Sequence, residues 1–442
     1  MTNSVNPAAL QRAAEMVLEQ AKQQGATASE AGVSHSTGLS VTVRQGDVET
    51  LEYNNDTSLG LTVYFGDSKA SASTSDLSEQ AIKDAVTAAC GIAKHTEADA
   101  CAGLADKALM ATDFPDLSTY HPWDVTAEQA IEIATECEQA GFDVDKRISN
   151  SEGGSVSSHQ GERIYANSHG FMGSSTGTRH SVSCTLISED DKGMQRDYWY
   201  GLARDAKDLD AAKLIGQRAA ENTLNRLNPQ TVTTGHYPVV FAADIAPTLF
   251  GQFISAIRGS ALYRQSSFLV DHLGKQIFPD FMHIHEQPHL IKGLGSASFD
   301  SEGVATTPRD VIRDGVLQGY VLDSYSARKL NMTTTGNAGG THNLTIEHSD
   351  ISFDEMLKQM DTGVLVTETM GMGVNIVTGD YSQGAAGFWV EKGEIQYAID
   401  EFTIASNLGD MFMGIEAVAD NIETRSSTRT GAVWINNMMV AS

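Results

Sequence analysis

Positively charged residues are scarce in this sequence. Its 442 residues include 30 lysines and arginines against 57 aspartates and glutamates, which gives a formal net charge of −27. No run of lysine and arginine interrupts this excess. Because such a negative field repels phosphate backbones and anionic membrane surfaces, we expect the protein to bind neither nucleic acid nor a membrane directly.

Cysteines and long apolar runs are few as well. The four cysteines lie in the first half without a C-x-x-C pair, as Cys90, Cys101, Cys137 and Cys184. Because a chain of this length can build its own core, we expect free thiols rather than a disulfide framework. No segment approaches the roughly 18 apolar residues of a membrane span, and the amino terminus lacks a secretory pattern. These features favour a cytoplasmic protein.

Length and composition predict two domains of the α+β class. The chain exceeds the size of one ordinary core, and its 40 glycines indicate many turns. We predict an N-terminal domain over 1–228 and a C-terminal domain over 235–442, separated by the polar stretch 228–235. The C-terminal domain is predicted to be rich in antiparallel strands, with short helices.

The N-terminal domain shows one order of elements twice. Residues 1–95 and 126–227 both read as a helix, several antiparallel strands and a second helix, which suggests a duplication; chance similarity between two meanders is the alternative. Asn6 is expected to cap the first helix, and Thr126 with Gln129 forms a capping-box pattern for the third.

The strands of this domain are expected to be short and separated by glycine-containing turns. The second helix is expected from about residue 77 to 94, with Ser75 or Asp76 as its cap. The predicted strands are 30–36, 39–44, 48–54, 59–64, 69–74, 148–158, 163–167, 180–188 and 195–200. Turns are expected at 45–47, 65–67 and 160–162.

The densest run of strand and turn patterns in the chain is 363–410. A loop over 379–384 would leave backbone N–H and C=O groups free to hold an extended peptide. A plain antiparallel meander with tight turns is the alternative. The candidate peptide-binding residues are Asn375, Gly379, Tyr381 and Ser382.

A short histidine motif offers a candidate metal site. His285, Glu286 and His289 match H-E-x-x-H by letter, and His283 precedes them. A zinc peptidase needs both histidines on one helical face with the glutamate as general base, whereas Pro288 disrupts a helix directly before the second histidine. A surface or partly buried histidine cluster is therefore favoured over a metal site. No G-x-S-x-G elbow and no phosphate-binding G-x-x-x-x-G-K-[ST] loop is present.

Several blocks of the C-terminal half resemble the TldD/PmbA family in order and spacing, and the similarity favours its PmbA (TldE) branch. The blocks are 299–303, 309–317, 324–330, 335–340, 373–375, 378–382 and 407–410. The resemblance implies a cytosolic, heteromeric metallopeptidase that trims flexible peptides, including antitoxins and peptide-antibiotic precursors. The family is also described as a modulator of DNA gyrase.

The resemblance fails where the family's zinc ligands should lie. In TldD-type subunits an H-E-x-x-x-H helix follows the first strand of the C-terminal domain, and a cysteine ligand comes later. The matching helix here, 244–257, contains neither histidine nor glutamate, and no cysteine follows Cys184. The resemblance therefore implies a chain without its own zinc or catalytic residues, whose TldD-type partner subunit holds the zinc.

Three hypotheses follow. The first is a non-catalytic subunit that helps a TldD-type partner hold a flexible peptide, with a homodimer as its state when the partner is absent. The second is an autonomous metallohydrolase that uses His283, His285 and His289 as ligands and Glu286 as base. The third is a non-enzymatic regulator of DNA gyrase.

Overall fold

Six long antiparallel strands form the framework of the first half of the chain. The computed structural model describes residues 7–442. Spatial order in this sheet is β3-β2-β1-β4-β5-β6. The elements are α1 (Pro7–Gln23), β1 (Ala28–Arg44), β2 (Asp47–Phe65), β3 (Ser68–Thr74), α2 (Glu79–Ala93), α3 (Ala127–Phe142), β4 (Ile148–Asn167), β5 (Met172–Asp190), β6 (Gly193–Ala203) and α4 (Ala212–Asn225).

The sheet is built from two three-stranded units that meet at β1 and β4. These two strands pair antiparallel, with Val33 opposite Ile164. Helices α1 and α2 pack on Val33 and its neighbours, whereas α3 and α4 pack on Val41 and its neighbours. Because side chains alternate along a strand, both helix pairs cover the same face of the sheet and leave the opposite face open. Duplication as the origin of this order stays a prediction.

Some of the turns and helix caps that were predicted from neighbouring residues are present in the structure. The turn at Gln45 and Gly46 has positive φ at both residues, and the capping box of Thr126 and Gln129 forms as predicted. The cap of α2 was misplaced: the side chain of Ser78, rather than Ser75 or Asp76, accepts from the third residue of the helix. The cap predicted at Asn6 lies outside the described residues.

The strand breaks predicted at 37–38, 55–58 and 159–162 were wrong. Strands β1, β2 and β4 run without interruption for 17, 19 and 20 residues. The expected turn at 160–162 is strand, and Gly161 pairs with Ser36. Backbone pairing tolerates polar side chains that point away from the helices, so loss of the apolar alternation did not end the strand.

The C-terminal half contains a larger sheet and a smaller one. In the larger, β12, β7, β18, β15 and β14 are successive neighbours and β14 pairs back to β12, which closes the circuit. The smaller has the order β10-β9-β8-β11-β17. The elements are β7 (Gly235–Phe241), α5 (Ala246–Ala256), α6 (Gly259–Tyr263), β8 (Ile284–Glu286), β9 (Arg309–Arg313), β10 (Val316–Leu317), α7 (Ser324–Lys329), β11 (Leu344–Ile346), α8 (Phe353–Met360), β12 (Gly363–Met370), β13 (Val374–Asn375), β14 (Asp380–Glu391), β15 (Glu394–Asn407), α9 (Leu408–Met413), β16 (Ile415–Val418), β17 (Thr428–Arg429) and β18 (Val433–Ala441).

The main core of this half lies between the strands and α5. Phe253 of α5 packs edge-on against the rings of Phe278 and Phe412. The predicted α+β class with antiparallel sheets and short C-terminal helices is confirmed. Among the helices of residues 7–442, none is long and apolar enough to cross a membrane.

Polar contacts fasten the two halves together. Arg328 donates to the carbonyl oxygens of Cys101 and Gly103, each at 3.1 Å, and the Tyr325 hydroxyl donates to Asp99 at 2.7 Å. The stretch near residue 101 is thus held against α7. The space between the six-stranded sheet and the C-terminal loops therefore has fixed walls.

Candidate functional site

The histidine motif lies in strand β8 and the loop that follows it. His285 Nδ1 lies 2.5 Å from Asp310 Oδ1, and its Nε2 lies 2.5 Å from Glu347 Oε1. Partial burial would lower the pKa of His285, but the hydrogen bonds with Glu347 and Asp310 outweigh it and hold the pKa above its usual value. Both ring nitrogens are thus engaged by carboxylates of the chain itself.

The other two histidines do not complete a helical zinc motif with His285. The rings of His283 and His285 are parallel with centroids 6.3 Å apart, whereas His289 Nε2 lies 3.2 Å from Thr306 Oγ1. In the part of the chain that the structure describes, no three His, Cys, Asp or Glu side chains are grouped so that they could hold a metal ion.

Glu286, the candidate base of the hydrolase hypothesis, is buried in a hydrogen-bond network. Only 2% of its side chain is exposed. Its carboxylate accepts from Arg309 Nε at 2.7 Å, from Asn337 Nδ2 at 2.6 Å and from the backbone N–H of His342 at 2.7 Å. A carboxylate with three donors and little solvent access holds loops together and is poorly placed to take a proton from water.

We predict that the stabilisation from His285 depends on pH. Because its folded pKa is raised, the contribution is fully present below the unfolded value of about 6.5 and is lost as pH rises through the folded pKa. His285→Ala should lower the free energy of unfolding by on the order of 1 kcal/mol at pH 6 and by less at pH 9, since Glu347 is half exposed. Urea titrations at both pH values measure this.

His289→Ala is the matched control, because His289 contacts a hydroxyl rather than a carboxylate. Its effect on stability should change little between pH 6 and pH 9. An effect of His285→Ala that is equal at the two pH values would contradict the prediction.

Helix α5 offers no ordinary zinc ligand. Its eleven residues contain no His, Cys, Asp or Glu. Gln252 and Ser255 are its polar side chains toward the carboxyl end, and Ser255 Oγ donates to the carbonyl oxygen of Gly251 at 2.8 Å. Since zinc sites use imidazole, thiolate or carboxylate ligands, the side chains of this helix do not fit a zinc ion.

The glycine-rich stretch at 379–384 is part of an antiparallel meander, which was the alternative to an open loop. Residues 380–384 belong to β14, which pairs with β13 and β12 on one side and β15 on the other. The backbone N–H of Ser382 donates to the carbonyl oxygen of Gly373 at 2.7 Å, and that of Gly379 donates to Asn375 at 2.8 Å. Internal pairing therefore occupies the backbone groups that were expected to hold a peptide.

The four candidate side chains of this stretch have different surroundings. Tyr381 is 4% exposed and packs in the main core, so it presents no surface to a ligand. Gly379 is buried, whereas Asn375 and Ser382 are exposed. Peptide binding by Asn375 and Ser382 stays a prediction.

A large cavity lies elsewhere, between the open face of the six-stranded sheet and two C-terminal loops. Its volume is about 720 Å³, and we call it the central groove. The sheet contributes residues of β1, β4 and β5, and the loops contribute 296–301 and 338–342. A second cavity of about 600 Å³ shares Ser34 and Arg163 with it, and we call that the side groove.

The floor of the central groove consists mostly of small polar residues. On the open face, Ser34 lies opposite Arg163, and Ser36 lies opposite Gly161. Strand β5 continues the pattern, with Gly177 opposite Gly161. Small side chains leave room for a ligand close to the sheet, and the hydroxyl groups offer both donors and acceptors.

Three arginines supply the positive charge of the central groove. Arg163 and Arg179 are exposed, and within residues 7–442 neither side chain has a hydrogen bond or ion pair. The guanidinium of Arg204 lies over Gly177 and donates to the carbonyl oxygens of Thr178 and Leu294, at 3.2 and 2.7 Å. Burial and the nearby charge of Arg179 lower the pKa of Arg204.

The side groove has acidic walls. Glu30 accepts hydrogen bonds from the hydroxyls of Tyr64 and Tyr165, at 2.8 and 2.7 Å. Glu302 accepts from the backbone N–H of Ser324 at 3.0 Å, and burial raises its pKa to about 7. The two cavities therefore differ in charge, and Arg163 lies at their junction.

Neither groove was predicted from the sequence. Their residues come from three strands and two distant loops, so no short window contains them. One local signal was available: every second residue from Ser34 to Thr42 is serine, glycine or threonine, while the residues between include valine and leucine. That pattern indicates a strand whose second face carries no large side chain.

Comparisons with known proteins cover nearly the whole chain. Three protein-family models, described as PmbA/TldA metallopeptidase domains, match the chain. Domain 1 matches over 29–93, the central domain over 120–227 and the C-terminal domain over 234–442. Metalloprotease PmbA of Escherichia coli O157:H7 is 50% identical over 434 residues, which is 98% of this chain and 96% of that protein.

Solved structures agree with the fold. A protein of Bacteroides thetaiotaomicron, named as a candidate modulator of DNA gyrase, superposes with a TM-score of 0.93 at 27% identity over 98% of each chain. TldE of Thermococcus kodakarensis gives 0.82 at 19% identity, over 97% of this chain and 100% of that one, which shows likeness of fold alone. The extent and identity of the match to PmbA decide the family: the chain belongs to the PmbA/TldD metallopeptidase family.

Proposed function

We propose that this chain is the non-catalytic, TldE-type subunit of a cytoplasmic peptidase. In this proposal a TldD-type partner subunit holds the catalytic zinc, and the present chain helps to hold a flexible peptide. The complex trims or degrades such peptides, and neither nucleic acid nor a membrane is its target.

The composition of helix α5 carries the proposal. The family resemblance places the zinc-binding residues of TldD-type subunits on the helix after the first strand of the C-terminal domain. Here that strand is β7 and that helix is α5, which has no His, Cys, Asp or Glu. A later cysteine ligand is missing too, since the last cysteine is Cys184.

The central groove supports the second part of the proposal. An extended peptide needs a long, open channel with polar groups along it, and about 720 Å³ of space lies along the small polar floor of β1, β4 and β5. The contacts between the two halves keep this channel open. The central groove is thus a second candidate surface beside the exposed Asn375 and Ser382.

The test is reconstitution with and without a partner. We would purify this chain, a TldD-type subunit and their mixture, measure zinc by atomic absorption, and follow cleavage of an unstructured peptide by mass spectrometry. We expect the chain alone to cleave nothing and to hold less than stoichiometric zinc, while the mixture forms a complex and cleaves.

Hydrolysis by the chain alone would overturn the proposal. If the active chain also bound zinc, and the double variant His285→Ala, His289→Ala lost that zinc, the protein would instead be an autonomous metallohydrolase. His348→Ala is the matched control, because this histidine is exposed and lies outside the motif. Equal cleavage by the TldD-type subunit with or without this chain would also count against it.

A further inference from the structure

We propose that the central groove binds an acidic segment of an extended peptide, through Arg163, Arg179 and Arg204. This inference rests on the proposed function for its biological setting. It goes further, because it names the chemical class of the peptide and the residues that select it.

Within residues 7–442, the positive charges of the three arginines have no carboxylate partner. Several arginines of this chain pair with a carboxylate, as Arg226 does with Glu368 at 2.6 Å. By contrast, among residues 7–442 Arg163 and Arg179 have none, and Arg204 contacts only carbonyl oxygens while its buried Nε has no partner. Three uncompensated guanidinium groups line one cavity.

Within residues 7–442, no acidic residue that lines the groove forms an ion pair with Arg163, Arg179 or Arg204. Asp300 accepts from three backbone N–H groups, at 2.9 to 3.0 Å, and Asp116 accepts from the N–H of Ser118 at 2.8 Å. Glu162 lies opposite His35 in the strand register. Because side chains alternate, Glu162 projects to the face opposite that of its neighbour Arg163.

The spacing of Arg163 and Arg179 also fits an extended peptide. Arg163 lies opposite Ser175, and Arg179 is four residues further along the same strand. Four residues of strand span about 13 Å, and an extended peptide places the side chains of residues i and i+4 at the same separation on one face. Two carboxylates four residues apart would thus reach both arginines.

Short-range attraction by the arginines has to be compared with long-range repulsion by the net charge of the protein. The net charge of −27 repels an acidic peptide at long range, but charges more than about 8 Å away are largely screened at physiological ionic strength. A guanidinium and a carboxylate in direct contact form a charge-assisted hydrogen bond, often with two parallel bonds. The local contacts therefore outweigh the distant field and confine acidic segments to this groove.

A peptide fits the groove better than a nucleic acid does. Single-stranded nucleic acids bind on aromatic side chains that stack with bases, together with a continuous basic track. Here the floor is mostly serine, threonine and glycine, and the two phenylalanines that line the groove, Phe114 and Phe299, pack edge to face against each other. Hydroxyl groups suit the amide groups of a peptide backbone.

The test measures binding by fluorescence anisotropy with the full chain. Three labelled ten-residue peptides of glycine and serine each carry two variable residues, four positions apart. Both variable residues are Glu in the first peptide, Gln in the second and Lys in the third. We expect the Glu peptide to bind at least about tenfold more tightly than the Gln peptide, the Lys peptide not to bind, and affinity to fall with added salt.

The double variant Arg163→Gln, Arg179→Gln should lose this preference. Its matched control is Arg12→Gln, Lys22→Gln, which makes the same change of net charge on exposed positions of α1. We expect about a tenfold or larger loss for the first pair and less than about twofold for the second. Equal binding of the Glu and Gln peptides, no binding of any peptide, or an unchanged affinity in the first variant would overturn the proposal. So would tighter binding of a ten-nucleotide oligothymidylate.

Cleavage by the reconstituted complex separates this proposal from the function on which it rests. If the first variant slows cleavage of the Glu peptide about tenfold in kcat/KM and leaves the Gln peptide unchanged, both proposals stand. If no mixture cleaves any peptide but the arginine-dependent binding persists, the proposed function fails and the binding site remains.

Discussion

Replacing Arg309 by methionine is expected to lower the free energy of unfolding by about 3–5 kcal/mol, because it leaves the buried Glu286 carboxylate without its cation. The guanidinium donates from Nε to Glu286 at 2.7 Å, from Nη1 to the carbonyl oxygen of Tyr320 at 2.9 Å and from Nη2 to Asn337 at 3.0 Å. Methionine fills part of the space but donates to none of them. Urea titration of both proteins measures the loss.

Two further variants identify the cause. In the double variant Glu286→Gln, Arg309→Met the neutral amide still accepts from Asn337 and from the N–H of His342, so it should be more stable than Arg309→Met alone. Arg313→Met is the control with the same substitution: Arg313 is 62% exposed and its pair with Asp310 should contribute at most about 1 kcal/mol. Equal losses for Arg309→Met and Arg313→Met would show that burial does not govern the pair.

The network around Glu286 explains why the H-E-x-x-H letters were misleading. The motif requires a helix, and Pro288 correctly argued against one. The sequence did not show what Glu286 does instead, since its donors Arg309, Asn337 and His342 lie 23 to 56 residues away. Ion pairs between loops depend on tertiary structure, and local patterns cannot predict them.

Local backbone signals predicted local structure well. The capping box at Thr126 needs only residues three positions apart, and the turn at Gly46 needs only a residue that tolerates positive φ. Strand continuity at Gly161 was missed, because pairing with Ser36 maintains it and that partner is 125 positions away in the sequence. At 380–384 the sequence left an open loop and an antiparallel meander as alternatives, and the pairing of β14 with β13 and β15 shows the meander.

The central groove shows the same limit in the candidate site. Arg163, Arg179 and Arg204 look like ordinary surface residues in sequence. Only the pairing of β4 with β5 and the contact of Arg204 with Leu294 bring them to one cavity. The family resemblance could locate the missing zinc helix, because that comparison is local, but it offered no motif for this cavity.

Glu302, in the wall of the side groove, should make the protein less stable as pH rises from about 4.5 to 7. Burial raises its pKa from 4.5 to about 7, and nearby Asp300 and Asp323 add to the effect. Between these two pH values the folded state binds more protons than the unfolded state, so the free energy of unfolding falls with pH. The full penalty, about 3 kcal/mol, is present above pH 7.

Glu302→Gln removes this penalty, because a neutral amide can still accept the hydrogen bond from the N–H of Ser324. We expect the variant to be more stable than the wild type by about 3 kcal/mol at pH 8 and nearly equal to it at pH 4.5, as measured by urea titration. Glu355→Gln is the control in the opposite sense: hydrogen bonds with Ser352 lower the pKa of this exposed capping residue, so its loss should not stabilise the protein at pH 8. A Glu302→Gln variant that is less stable at pH 8 would mean that the ionised carboxylate is compensated in the folded protein.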